Sequence, residues 1–247
     1  RAAFGRKSCA ADQLCYEVPL VTRAVLRRSS ARSADDIWMV GASGTILHYD
    51  GTIVSGVSSG TVKDLRGVFA LGPRDVWAVG AGGTILHFDG DRWLAVPGGT
   101  TQDLDAVWAS GPGDVWAVGD RVITHFDGKV FTSQTTDAVL HGVWGSGPRN
   151  VIAVGERATV LQWAGSGWSP LPEVLRVTGE ALYDVWGSGP LDIWAVGARG
   201  TIIHWDGNMR WAPAQSGVSD DLRAIAGGGD VIWVVGAMGA TVVRSGG

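Results

Sequence analysis

Short apolar stretches of four to six residues, separated by small clusters of Gly, Pro and Asp, alternate along most of the chain. Residues 64–97 show the pattern best, because four stretches read there as strands: Leu65–Ala70, Asp75–Gly80, Thr84–Phe88 and Trp93–Val96. Stretches rich in β-branched and aromatic residues, bounded by turn residues, predict antiparallel hairpins. Outside the N-terminal region no stretch keeps an apolar period of 3.6 residues, so the pattern disfavours helices.

This four-strand unit recurs six times. Its anchor is the third residue of the second predicted strand, and the anchors are Trp38, Trp77, Trp116, Ile152, Trp194 and Trp233. Successive anchors lie 39, 39, 36, 42 and 39 residues apart. Four-stranded units of about 40 residues, repeated at this regularity, are typical of a β-propeller. The sequence therefore predicts an all-β fold: a six-bladed β-propeller of four-stranded antiparallel blades.

The two ends of the repeat array predict how the ring closes. The last unit, at residues 222–244, stops after its third strand, whereas residues 14–19 resemble the fourth strand at residues 93–97. We therefore expect an N-terminal arm over residues 1–13 and a single propeller domain over residues 14–247. In this prediction the N-terminal strand completes the last blade, which would remove an open sheet edge.

Composition and charge exclude several classes of protein. Hydrophobic residues make up 45% of the chain and charged residues 18%, which argues against disorder over most of its length. The formal net charge of -4 argues against a nucleic-acid partner. No apolar run approaches the roughly 18 residues that would span a bilayer. No cofactor and no metal site are predicted.

The two cysteines, Cys9 and Cys15, lie close together near the N-terminus. Their spacing suits a small disulfide loop, which would imply an oxidising compartment. The alternative is a pair of free thiols.

All 13 tryptophans fall at repeat positions. A large aromatic side chain at an equivalent strand position in each unit is typical of packing between blades, and we expect this role for the second-strand tryptophans. The fourth predicted strands are outermost in a propeller blade. If the protein binds glycans, the candidates for stacking against a sugar are the fourth-strand residues Trp93, Trp168 and Trp211.

A His-x-Asp pair recurs in four units. The pairs are His48 and Asp50, His87 and Asp89, His125 and Asp127, and His204 and Asp206. One pair in each blade lies far from the next, so the pairs cannot pool their ligands around a metal ion. We expect each Asp to accept backbone N–H groups of its own turn, and each His to bond a neighbouring strand or polar group.

The repeat also resembles known families. The segments Gly72–Gly80 and Gly83–Trp93 resemble bacterial propeller repeats of the Ycf48-like and BNR/Asp-box kind, and they show some similarity to tectonin-type propeller lectins. Asp89, Gly90 and Trp93 match the Asp-box in part, with a shorter turn. The resemblance covers residues 14–244 and implies an exported protein. It implies no activity, because propellers host many functions.

Function is expected where the units differ. The loops between second and third strands vary on a constant frame, and variable loops on a rigid scaffold are typical of binding surfaces. The candidate partner-binding residues are Asp120, Arg121, Glu156, Arg157, Arg199 and Met238. No catalytic constellation stands out.

We therefore expect a non-catalytic binding module or scaffold for a protein partner, located at the cell surface, outside the cell or in the periplasm. A multivalent lectin that binds a cell-surface glycan is the alternative. An enzyme acting on polysaccharide would need one special pair of carboxylates, and the carboxylates here mostly belong to repeated turns.

Overall fold

The computed structural model describes residues 21–208, 210–228 and 231–245. In these residues 23 strands form six antiparallel sheets, and each sheet pairs its strands in chain order. The predicted six-bladed β-propeller is thereby confirmed. The predicted arm at residues 1–13, the closing strand at residues 14–19 and the candidate disulfide lie outside the described residues.

The strands are distributed over the six blades as follows. Blade 1 contains β1 (Leu26–Ser33), β2 (Asp36–Gly41), β3 (Ile46–Tyr49) and β4 (Val54–Val57). Blade 2 contains β5 (Leu65–Gly72), β6 (Asp75–Gly80), β7 (Thr84–Phe88) and β8 (Trp93–Ala95). Blade 3 contains β9 (Leu104–Gly111), β10 (Asp114–Gly119), β11 (Val122–Phe126) and β12 (Phe131–Thr135).

The second half of the chain repeats the arrangement. Blade 4 contains β13 (Leu140–Gly147), β14 (Asn150–Gly155), β15 (Val160–Trp163) and β16 (Trp168–Pro170). Blade 5 contains β17 (Leu182–Gly189), β18 (Asp192–Gly197), β19 (Ile202–Trp205) and β20 (Trp211–Ala214). Blade 6 contains β21 (Leu222–Gly228), β22 (Val231–Gly236) and β23 (Thr241–Ser245). Short 3-10 segments lie at Ala42–Gly44, Ala81–Gly83, Glu156–Ala158, Pro172–Arg176, Ala198–Gly200 and Ala237–Gly239.

The first strands of consecutive blades, from β1 to β21, pack side by side and form the inner wall of the ring. The wall is also bridged across its centre. Arg28 on β1 pairs with Asp184 on β17 at 2.7 Å, and the same carboxylate accepts the backbone N–H of Ile225 on β21 at 3.0 Å. Blade 1 is thereby tied to blades 5 and 6.

In blades 1, 2, 3 and 5 a second-strand tryptophan joins the blade to the next one. Trp38 of blade 1 packs in one cluster with Leu65 and Trp93 of blade 2. The corresponding tryptophans of blades 2, 3 and 5 are 3% to 5% exposed, and they are Trp77, Trp116 and Trp194. The predicted packing role is confirmed for these four residues. Truncation of a buried tryptophan to alanine typically costs about 3–5 kcal/mol.

Trp233 of blade 6 departs from the pattern, since it is 53% exposed. Val235 and Val243 beside it are 46% and 49% exposed. At the junction of blade 6 with blade 1, Leu26 of blade 1 is 41% exposed, whereas its counterpart in blade 2, Leu65, is fully buried. The expectation that Trp233 packs between blades is therefore wrong in this structure, because blade 1 does not cover it. We call these four residues the seam.

Candidate partner-binding face

A β-bulge opens the first strand of every blade. The pairing register shifts by one residue directly after the leading Leu, as between Leu65 and Gly67 opposite β6. The extra residues in blades 1 to 6 are Arg27, Arg66, Asp105, His141, Tyr183 and Arg223. A bulge leaves its extra residue unpaired and re-aims the side chain. The ring therefore presents six side chains of four kinds, four of the six basic, around its inner edge.

The turn between the second and third strand of each blade has a residue in the left-handed region at its tip. The tip residues of blades 1 to 6 are Ser43, Gly82, Arg121, Arg157, Arg199 and Met238, with φ between 52° and 61°. Only blade 2 uses glycine, the residue that favours this conformation. The left-handed conformation costs other residues on the order of 1–2 kcal/mol. Five of the six turns nevertheless have a residue with a side chain at this position.

The tips and the bulges lie on the same side of the ring. In each blade the backbone N–H at the start of the turn donates to a carbonyl just before the bulge, as Ala81 does to Asp64 at 2.9 Å. Glu156 does the same to Val139 at 3.0 Å. We call this surface, made of the six tips and the six bulged residues, the turn face.

Charged side chains on the turn face form a chain of contacts across blades 2 to 4. Arg66 of blade 2 pairs with Asp103 at 2.7 Å and with Asp105 at 3.0 Å, both of blade 3. Asp105 lies 3.5 Å from Nδ1 of His141 in blade 4, and Nε2 of that ring lies 3.0 Å from Glu156. The histidine thus sits between two carboxylates.

This arrangement shifts the pKa values of His141 and Asp105. Hydrogen bonding to Asp105 raises the pKa of His141 above its usual range; burial opposes the shift, and Glu156 adds to it. Burial would raise the pKa of Asp105, but hydrogen bonds from His141 and Arg66 outweigh it and lower that pKa. The cationic form of His141 is therefore favoured on this face.

Blades 5 and 6 continue the ring with an aromatic contact. The guanidinium of Arg223 lies 4.5 Å above the ring of Tyr183 and also pairs with Asp221 at 2.7 Å. The Tyr183 ring stands 5.7 Å from His141. Burial, and then the negative charge of Asp221, raise the pKa of the Tyr183 hydroxyl. An aromatic face and cationic groups therefore adjoin at this point.

The structure brings the six candidate partner-binding residues to this face. Glu156 joins the network through His141. Arg199 pairs with Glu180, and its backbone N–H donates to Asp221 at 3.2 Å. Met238 is 92% exposed. The others are also on the face: Asp120 begins its turn, and Arg121 and Arg157 are exposed tips.

Sequence reasoning missed the bulged residues. Each follows a repeated leucine at the start of a first strand, as in Leu65-Arg66, Leu104-Asp105 and Leu140-His141. The position varies in chemistry while its neighbour stays constant. That is the same signal that singled out the turn tips, so the positions could have been found from the repeat alignment.

The opposite face carries the repeated histidines. In blade 3 the carboxylate of Asp114 accepts from Trp116 at 3.0 Å and lies 2.6 Å from Nε2 of His125. The two rings stack at 3.8 Å. Blades 1, 2 and 5 repeat the stacked His–Trp pair and the His–Asp contact. The expected bond from His to a neighbouring strand is confirmed, since its partner opens the second strand.

The aspartate of each His-x-Asp pair has a separate role. Asp50 accepts the backbone N–H groups of Thr52 at 2.9 Å and Ile53 at 3.0 Å. A hydrogen bond from the Thr52 hydroxyl, and then these backbone bonds, lower the pKa of Asp50 to about 2. The predicted turn role is confirmed here, and it recurs at Asp89, Asp127 and Asp206.

Blade 4 shows that the His–Trp–Asp set acts as a unit. In this blade the histidine is replaced by Gln162, the tryptophan by Ile152 and the aspartate by Asn150. Gln162 donates to Asn150 at 3.3 Å, and Asn150 donates to Ser146 at 2.9 Å. A neutral network thus takes the place of the charged one, as expected for a structural device.

The candidates for glycan stacking do not fit that role. Trp93 borders a cleft of 1050 Å³, yet it is 7% exposed, and Trp211 is 3% exposed. Trp168 is half-buried and packs against Trp116. Trp93 and Trp211 are therefore corrected to core residues, since both belong to buried hydrophobic clusters.

Within residues 21–208, 210–228 and 231–245, no group of three His, Cys, Asp or Glu side chains could hold a metal ion. No helix there is long and apolar enough to cross a membrane.

Comparison of folds places the chain among the β-propellers. The structure of YCF48 bound to D1 peptide matches with a TM-score of 0.58 and 19% identity, over 94% of this chain and 98% of that one. YCF48 from Cyanidioschyzon merolae matches with a TM-score of 0.68 and 18% identity, over 88% and 79%. The chain thus has a propeller fold similar to that of YCF48, as the repeats suggested.

An enzyme shares the fold as well. A catalytically inactive virginiamycin B lyase from Staphylococcus aureus, with quinupristin, matches with a TM-score of 0.77 and 14% identity, over 93% of this chain and 83% of that one. No family model matches the sequence, and no curated protein does. At these identities the likeness establishes the fold alone.

Proposed function

We propose that the protein is a non-catalytic binding module that presents the turn face to a peptide segment of a protein partner. One observation carries the proposal: large side chains occupy a strained backbone position although they are exposed to solvent. Arg121, Arg157 and Met238 are exposed in the left-handed region, whereas the blade 2 turn adopts the same shape with Gly82. Strain of this kind persists at functional sites.

The chemistry of the face suits an extended peptide. Blades 3 to 5 have basic tips, and the Tyr183–Arg223 contact offers an aromatic surface on the same face. Tyr and Arg are the residues that most often carry the binding energy of an interface. YCF48, which shares the fold, has been solved with a bound peptide.

Selection from a peptide library against the whole chain tests this function. Peptides that bind the wild type are then titrated against Arg121→Gly, Arg157→Gly and Met238→Gly. We expect each substitution to weaken binding at least threefold, whereas thermal stability stays the same or rises slightly because the strain is removed.

The matched control lies on the opposite face. Arg74 and Arg149 are exposed arginines of the turns between first and second strands, and their replacement by Ala should leave peptide affinity unchanged. Peptides that bind all tip variants as tightly as the wild type, or that lose affinity in the Arg74→Ala control, would rule out the turn face.

An exported location, which the family resemblance implies, belongs to the same proposal. Fractionation of cells that express the natural gene, with immunodetection of the chain, tests it. Recovery from the cytosolic fraction alone would contradict export without affecting the binding function.

A further inference from the structure

Three tips of the turn face are held by an aspartate of the next blade. Asp64, Asp103 and Asp221 each stand directly before the leucine that opens a first strand. Their carboxylates accept the backbone N–H of the tip residue in the preceding blade. The donors are Ser43 at 2.9 Å, Gly82 at 2.7 Å and Arg199 at 3.2 Å.

The same carboxylates meet the bulged side chain beside the tip. Asp64 pairs with Arg27 of blade 1 at 2.9 Å, and Asp103 pairs with Arg66 of blade 2 at 2.7 Å. Asp221 lies beside the hydroxyl of Tyr183, the bulged residue of blade 5. A tip N–H and a bulged side chain thus form a site for a carboxylate, and in these three blades the chain supplies the carboxylate itself.

Blade 4 has the tip without the aspartate. Arg157 has φ 56° and ψ 41°, close to the 61° and 39° of Gly82, so its N–H has the same direction. Ala181 stands at the aspartate position. Its carbonyl accepts from the next turn at 2.9 Å, as the carbonyl of Asp64 does. The backbone therefore keeps its place, and only the carboxylate is missing.

Neighbouring groups replace the aspartate only in part. Glu156, the first residue of the blade 4 turn, lies 3.0 Å from the bulged His141 and so takes over that contact. Within the described ranges no residue accepts the N–H of Arg157. Its side chain is exposed, whereas the corresponding Arg199 pairs with Glu180. A turn N–H beside a guanidinium favours an anionic oxygen ligand.

We propose that the turn face binds a carboxylate of its peptide partner at the place left by Ala181. The carboxylate accepts the N–H of Arg157 and pairs with the guanidinium of the same residue. This inference rests on the proposed function and names the group that the peptide must carry. An acidic side chain and a chain terminus offer the same group, and the experiment separates the two.

The first test changes the peptide. Peptides selected against the whole chain are synthesised again, once with every Asp and Glu replaced by its amide and once with an amidated C-terminus. We expect at least one change to weaken binding about tenfold or more, as for a lost hydrogen bond to a charged group. If neither does, the carboxylate site is wrong, although loss of affinity in the tip variants would still support the turn face.

The second test changes the chain. Ala181→Asp supplies the aspartate that the other blades use, so it should weaken binding of the acidic peptide about tenfold or more and raise the melting temperature by a few degrees. Asn150→Asp is the control, because it adds the same charge to the same blade on the opposite face. Its peptide affinity should stay within about twofold. Unchanged affinity in Ala181→Asp, or an equal loss in the control, would overturn the proposal.

NMR of the backbone amides provides a readout that does not depend on a variant. The N–H resonance of Arg157 should move downfield on addition of the acidic peptide and stay fixed with the amide version. A peptide that needs its carboxylate but leaves this resonance unmoved would place the carboxylate elsewhere and overturn the proposal. Failure of every library peptide to bind the wild type would overturn the binding function and this site together.

Discussion

At the scale of single residues, His141 is the titratable group with the most definite surroundings. It lies between Asp105 and Glu156 on the turn face, and its pKa is raised mainly by Asp105. We expect Asp105→Asn to return the pKa of His141 towards about 6.5, its ordinary value, in an NMR titration of the imidazole. Asp103→Asn, whose carboxylate pairs with Arg66, is the control.

The same shift gives a stability profile with a definite sign. Because the folded-state pKa of His141 is raised, its stabilising effect is complete below about pH 6.5 and is lost as the pH rises through the folded-state pKa. The difference in unfolding free energy between wild type and His141→Gln should therefore shrink over that range in urea titrations. A difference that grows with pH would contradict the ion-pair description.

Asp114 tests whether the repeated His–Trp–Asp set is structural. Its carboxylate accepts from Trp116, His125 and the hydroxyl of Ser110. Asp114→Ala leaves these donors without their acceptor and should cost about 2 kcal/mol of unfolding free energy. Asp91→Ala, in an exposed turn of blade 2, is the control and should stay within about 0.5 kcal/mol.

At the scale of the blade, one glycine sets how closely the second strand approaches the first. A methyl group on Gly119, at the end of β10, would overlap the carbonyl of Asp103 and crowd the Cα of Leu104. Gly111, at the end of β9, has nothing within 4 Å of that position. Position 119 therefore requires glycine because there is no room for a side chain.

The two glycines form a matched pair of substitutions in one blade. Gly119→Ala must move the backbone and should lower the unfolding free energy by about 3 kcal/mol or more, while Gly111→Ala should change it by less than about 1 kcal/mol. Chemical denaturation of both variants decides the matter. Equal losses would mean that the second and first strands do not approach as closely as described.

The sequence predicted the blade well because the blade is repeated. The second and third strands, such as Asp75–Gly80 and Thr84–Phe88, lie where the apolar pattern placed them. The bulges escaped prediction because the extra residue follows the leading leucine directly, so only one residue of alternation precedes it. The partner of His48, Asp36, escaped for another reason: the two meet across paired strands, twelve residues apart.

At the scale of the whole molecule, the seam is where the repeat fails to predict burial. Trp77 and Trp233 are equivalent in sequence, yet they are 3% and 53% exposed. Burial depends on the neighbouring blade, which the pattern of one unit does not encode. The seam could therefore be read only from the assembled ring.

This contrast predicts unequal costs for equivalent substitutions. Trp77→Ala should lower the unfolding free energy by about 3–5 kcal/mol because it leaves a cavity between blades. Trp233→Ala should lower it by less than about 1 kcal/mol, as for other exposed positions. Similar losses in thermal or urea unfolding would show that blade 1 covers Trp233 in solution.

The left-handed tips have a consequence for how the molecule diversifies. Ser43, Arg121, Arg157, Arg199 and Met238 show that one turn geometry accepts small, cationic and apolar side chains alike. The backbone strain is nearly the same for each, so exchanging one for another leaves the ring intact. In the proposed binding function, each tip would therefore set specificity separately, so that one could be exchanged by mutation without altering the scaffold.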